Sequence, residues 1–183
     1  MYKIQTNSLA IKSQNWIAKS LLKLMKYQPY KDITVTQICQ EANLVRKTFY
    51  RNFDSKEDIL HFIFDNLFND FQRNKNFDKL SPKEIIYLYY SYWIKHKDLL
   101  KLIHENNLFF LINKKYINYT ESFISLLPDT KIQLLENNNL SPYFFNFIAS
   151  SMSSILELWV KRDFNESVDV ITNLTQSLLC SKL

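Results

Sequence analysis

Residues 41–60 read EANLVRKTFYRNFDSKEDIL. Phe49 and Phe53 stand four apart, so on a helix they point to one side. Arg46, Lys47, Tyr50 and Arg51 then fall on the other side. The spacing predicts a short helix over roughly 46–52. Just upstream, Thr34 followed by Gln37 makes a capping box that starts a helix over VTQICQEA. That helix closes at Asn43, since asparagine tolerates the left-handed conformation better than any residue but glycine. Downstream, Ser55 with Asp58 makes a second box and opens a longer helix over about 55–74. Ile59, Phe62, Ile63, Leu67 and Phe71 are its apolar positions. Two short helices at a sharp turn, the second basic on its outer face, describe a helix-turn-helix. In such a unit the second helix enters the major groove. Arg and Lys donate there to guanine O6 and N7, and a tyrosine hydroxyl bonds a phosphate. Lys56, at the start of the next helix, is expected to bond a further phosphate.

The charge distribution agrees. The chain carries 23 cationic and 18 anionic side chains, a net charge of +5. Residues 1–60 hold 10 of the cations and 5 of the anions, and the remainder holds 13 of each. The whole excess therefore lies in the first third, as a polyanion-binding head on a neutral body would have it. A lysine-rich solvated helix surface has the same composition, so charge alone leaves both readings open.

Glycine is absent from all 183 residues. Phosphate-binding P-loops, dinucleotide-binding turns, calcium loops and nucleophile elbows use glycine for backbone reasons, which argues against each of them. Tight primed hairpin turns are disfavoured for the same reason. The hydrophobic fraction of 46% is ample for a core. The longest apolar runs, such as LFFLI at 108–112, are too short to span a bilayer. The first sixteen residues lack a signal-peptide apolar region, so a soluble, cytoplasmic protein is expected. Cys39 and Cys180 have no disulfide or zinc spacing. His61 and Asp65 stand i, i+4, and His96 and His104 are two further imidazoles, but two side chains are not a metal site. No nucleophile stands beside a base. No cofactor, metal or enzymatic activity is expected.

Helical periodicity runs along the rest of the chain. Residues 8–26 place Leu9, Trp16, Ile17, Leu21, Leu24 and Met25 near one face, and Pro29 ends that segment. Ser81-Pro82-Lys83-Glu84 is a strong helix start. Further helices are expected near 98–105, over 107–127 up to Pro128, from Ser141-Pro142 to about Arg162, and over 166–181 with Asn165 as cap. The reading is an all-α protein of about nine helices. Residues 1–54 form a three-helix head, and 55–183 form a helical body in which 55–74 connects the two. In the penultimate helix Phe144, Ile148, Ser151, Ile155, Leu158 and Trp159 make one stripe, and in the last Ile171, Leu174 and Leu178 make another. Two such helices suit packing against a copy of themselves as a four-helix bundle, or packing on their own body alone.

The segment ITVTQICQEANLVRKTFYRNFDSKEDIL (33–60) resembles the DNA-binding head of the TetR family of bacterial transcriptional regulators. Ile33, Thr34, Val35, Ile38, Ala42, Thr48, Tyr50, Phe53, Ser55, Lys56 and Glu57 carry the likeness. It covers about 50 residues once the first helix is included. HKDLLKLIHENNLFFLI (96–112) and LELWVKRDFNESVDVI (156–171) resemble one of the family's body types less specifically. The resemblance implies a homodimeric regulator, expected to be a repressor, on a palindromic operator. It assigns phosphate contacts to Thr36, Thr48, Tyr50 and Lys56, and base contacts to Arg46 and Lys47, with Arg51 alongside. It implies a body that takes a small-molecule effector, for which Tyr89, Trp93, Phe109, Tyr116 and Phe123 are the candidate lining. It supports a dimer interface at the residues of the two terminal stripes. This chain departs from the family pattern in having Asn43 for the turn glycine, Val45 for the capping serine, and Lys47 at a place that is often small. Losing the serine cap costs about 1 kcal/mol. An adaptor acting through protein partners on the same fold is the rival expectation.

Overall fold

The structure, a computed structural model, describes residues 2–73, 80–120 and 139–180, leaving aside the side chains of 117–120 and 180. Among the described residues there are nine α-helices and no strand. They form two compact units, Met1–Asp70 and Phe71–Leu183.

The first unit holds α1 (Ser8–Met25), a 3-10 turn (Tyr30–Asp32), α2 (Val35–Glu41), α3 (Arg46–Asn52) and most of α4 (Lys56–Gln72). The expected caps form. Thr34 Oγ1 accepts from Gln37 N while Gln37 Oε1 accepts from Thr34 N, which starts α2. Asp58 Oδ2 accepts from the backbone of Asp54 and Ser55, and Ser55 Oγ accepts from Asp58 N, which starts α4. The core is Ile17, Leu21, Ile38, Phe49, Phe53, Ile59 and Leu60, all fully buried. The first helix differs from expectation. Leu9 and Trp16 are exposed, and Gln14, Ile17, Ala18, Leu21 and Met25 face inward. The buried stripe is displaced because the Gln14 amide has an internal acceptor, the carbonyl of Lys3 at 2.8 Å.

The second unit holds α5 (Pro82–Trp93), a 3-10 turn (Ile94–His96), α6 (Lys97–Glu105), α7 (Phe109–Thr120), α8 (Ser141–Lys161) and α9 (Val168–Cys180). Ser81 and Glu84 cap α5 reciprocally, with Pro82 in the first turn. α5 packs on α9, and α6 and α7 pack on α8. Tyr90 Oη and Thr175 Oγ1 meet at 2.8 Å in the interior between α5 and α9. Burial pushes the Tyr90 phenol up to about 12, and the bond to Thr175 offsets part of that rise. Trp159 is 1% exposed, edge-on to Tyr90 and to Phe164, and its Nε1 donates to Glu166 O at 2.9 Å. Ile171 is buried as well. Trp159 and Ile171 therefore pack in the unit's own core, leaving them little surface to offer a partner. The cap of α9 also differs, since Ser167 Oγ rather than Asn165 accepts, from Val170 N.

Without glycine, the helix ends are turned by Asn and Asp. Asn43, Asn107 and Asp163 have φ of 52°, 56° and 56°. Each follows a helix, and in each case two backbone bonds close the end. Leu44 N donates to Cys39 O and Asn43 N to Gln40 O after α2. Leu108 and Asn107 bond Ile103 and His104 likewise after α6, and Phe164 and Asp163 bond Trp159 and Val160 after α8. These are three Schellman motifs, the left-handed closure that glycine usually supplies.

Among the described residues no helix is long and apolar enough to cross a membrane.

Candidate nucleic-acid interface

α2 and α3 meet at the left-handed Asn43. α3 sinks one ring, Phe49, into the core, in contact with Phe53 at 6.0 Å between centroids. A helix anchored on that side presents the opposite one outward, and Arg46, Lys47, Tyr50 and Arg51 are all exposed. Thr48 is half-buried at its flank, and Thr36 is exposed in the first turn of α2. The basic and aromatic residues expected to touch DNA thus share one outer face, with Thr36 on the neighbouring helix. The Arg46 guanidinium lies 5.8 Å from the Tyr50 ring centre and donates to Tyr50 Oη at 3.3 Å. This pair keeps a cation and a phenol ordered side by side at the surface. At the N-terminus of α3, Val45 supplies no side-chain bond to the backbone.

Lys56 is engaged within the first unit. Its amine donates to the carbonyls of Tyr30, Lys31 and Ile33 at 2.7, 2.9 and 2.9 Å, and lies 4.5 Å from the Tyr30 ring centre. An ammonium has three donors, so all are committed. Desolvation lowers its pKa. Lys56 therefore ties the segment before α2 to the start of α4, and is not available as a phosphate donor in this arrangement. Lys56→Met is expected to cost about 1.5–3 kcal/mol of stability through the stranded carbonyls. The salt slope of DNA binding should not move. An unshifted urea midpoint together with a slope shallower by about 0.9 would restore the phosphate role.

In the second unit Tyr89, Trp93 and Tyr116 are buried and lie ring against ring, 5.4 to 6.4 Å between centroids. Burial holds the phenols of Tyr89 and Tyr116 well above the usual tyrosine range. Phe109 is buried beside His104, at 6.1 Å. Phe123 lies outside the described residues. His61 faces Glu57 at 3.3 Å while Asp65 accepts from the Tyr2 hydroxyl, so those two side chains have separate partners. Among the described residues no three His, Cys, Asp or Glu side chains cluster as metal ligands.

Residues 17–63 match the family described as bacterial regulatory proteins, tetR family. The match lies within the first unit, which is similar to that family's head over those residues. A curated relative, the "HTH-type dhaKLM operon transcriptional activator DhaS" of Lactococcus lactis subsp. lactis (strain IL1403), is 32% identical over 114 residues. The match covers 60% of this chain and 55% of that protein, so it spans only about half of the relative's length. Two solved structures share the fold. One, "Dihydroxyacetone kinase operon activator DhaS", has a TM-score of 0.55 at 23% identity, covering 93% of this chain and 96% of that one. The other, the fatty acid degradation regulator FadR from Bacillus halodurans, has a TM-score of 0.60 at 15% identity and covers 98% of each chain. The matched stretch contains both the Asn43 turn and the exposed face of α3.

Proposed function

We propose that the chain is a homodimeric transcriptional regulator that reads a palindromic operator with α3 of each TetR-type head. The observation that carries this reading is the exposed face of Arg46, Lys47, Tyr50 and Arg51 on a helix fixed from behind by Phe49. Arg46 and Lys47 are the base readers, while Tyr50, Thr48 and Thr36 bond phosphate. Arg51 adds a cation at the rim. Lys56 serves by holding the segment before α2. Two heads on one dimer reach half-sites a helical turn or more apart. An effector in the aromatic interior of the body, around Tyr89, Trp93 and Tyr116, would shift the balance between head spacings that fit DNA and those that do not. The expectation of a repressor rests on the family resemblance, whereas the curated relative is by name an activator. A promoter fusion measured with and without the regulator reads the sign directly.

The test is fluorescence anisotropy with a labelled duplex from the protein's own upstream region, titrated with salt. Wild type should bind it in preference to random duplex, with affinity falling steeply as salt rises. Tyr50→Ala and Lys47→Ala should each weaken binding by about tenfold or more. Weak binding that is equal on any duplex and indifferent to both substitutions would sink this reading in favour of the adaptor.

A further inference from the structure

The segment before α1, residues 2–6, has no regular secondary structure, and it bonds to the C-terminal end of α3. The last four carbonyls of a helix have no partner within it. In α3 these belong to Phe49, Tyr50, Arg51 and Asn52. Phe49 O accepts from Phe53 N at 2.9 Å. The other three are met from this N-terminal segment. Tyr50 O accepts from Lys3 Nζ at 3.0 Å, Arg51 O from Gln5 Nε2 at 3.4 Å, and Asn52 O from Lys3 N at 3.0 Å. The Lys3 ammonium also sits at the negative end of the helix dipole.

The segment is itself anchored on two sides. Gln14 of α1, buried, donates to Lys3 O. Tyr2 donates to Asp65 Oδ2 of α4 at 2.9 Å, and its ring stands edge-on to Phe62 at 5.4 Å. α3 has seven residues, too few to hold a helix on its own, and no side-chain cap at Val45. One end of the helix lacks a side-chain cap, and the other is held by a strap bonded to α1 and α4. Lys3 holds the carbonyl of the same residue whose phenol Arg46 contacts on the outer face.

We infer that residues 2–5 are the C-terminal cap of the recognition helix, and that Lys3 and Tyr2 are positioning residues for DNA reading. They hold α3 from behind rather than touching the operator. The DNA half of this inference rests on the proposed function, but the cap does not.

The experiment uses the full chain as wild type, Lys3→Met, Lys3→Arg, Tyr2→Phe and Asp54→Asn. Amide hydrogen exchange is followed without DNA, and duplex affinity is followed across a salt range. Lys3→Met should speed exchange in α3 by about tenfold while α1 is unmoved, and weaken the duplex complex by about fivefold to tenfold at an unchanged salt slope. Lys3→Arg should recover most of both. Tyr2→Phe, which alters no charge, should move both the same way by a smaller factor. Asp54→Asn is the control for the exposed 4.0 Å pair between Lys3 and Asp54, and should move neither. Unchanged α3 exchange in Lys3→Met would overturn the cap. A salt slope shallower by about 0.9 would make Lys3 a phosphate ligand and overturn the positioning role. If wild type binds no duplex, the functional reading fails and takes the positioning role with it, while exchange alone still decides the cap.

Discussion

Phe49→Ala should destabilise the head by about 3–5 kcal/mol, the range for emptying a fully buried aromatic site. Phe49 has no exposed surface, touches Phe53, and is the buried aromatic of a seven-residue helix. No neighbouring side chain of α3 can replace it, since Arg46, Lys47, Tyr50 and Arg51 all face outward. The cavity would open under the helix that carries the proposed reading face, so α3 should detach before the rest of the head unfolds. A urea titration followed by circular dichroism, with exchange rates for α3, would measure this. Tyr50→Ala is the comparison. It removes a half-exposed ring from the outer face, so it should leave the midpoint nearly unchanged while abolishing tight DNA binding. The two variants separate holding the helix from using it. A cost below about 1 kcal/mol for Phe49→Ala would mean that α3 is held mainly by its caps.

Much of this was legible because local chemistry set it. Thr34 with Gln37, Ser55 with Asp58, and Ser81-Pro82 with Glu84 each mark a helix start by residues that satisfy orphan backbone donors, and each forms. Asn43 was readable as a left-handed closure for the same reason. What sequence spacing misses is decided by partners far along the chain. Gln14 counts as polar in any periodicity, yet it is buried because Lys3 presents a carbonyl to it. That contact shifts the inward face of α1 and leaves Trp16 54% exposed. Lys56 reads as a free cation at a helix start, but three carbonyls from residues 30–33 converge on it. Trp159 shares the stripe of Ile155 by spacing, yet the Glu166 carbonyl and the Tyr90 ring draw it into its own unit's core. The segment 2–5 carries no sequence signal at all. Its role exists only once α3 ends beside it.

Leu174→Glu should convert the proposed dimer to monomers at micromolar concentration. α8 and α9 leave an apolar surface beside their core residues. Phe147 and Leu158 are exposed on α8, Val170, Leu174 and Leu178 are exposed on α9, and Phe144, Ile148, Ser151 and Ile155 are half-buried along α8. Leu174 is 48% exposed while Ile171 and Thr175 beside it are buried, so a charge at 174 can be solvated in the monomer and costs the fold little. In a twofold interface the same substitution enters twice, once from each copy. Two carboxylates brought together out of water cost several kcal/mol, so dissociation should become at least about 100-fold easier. Sedimentation equilibrium across a concentration series reads this, with the melting midpoint as the check that each protomer remains folded. Trp159→Ala is the counter-case, since that ring packs within its own unit and its loss should lower the midpoint before it touches association. If Leu174→Glu stays as associated as wild type, the apolar surface on α9 is not the interface. If wild type is itself monomeric at these concentrations, a palindromic site would offer it no advantage over a single half-site, and binding to the two should be equally tight.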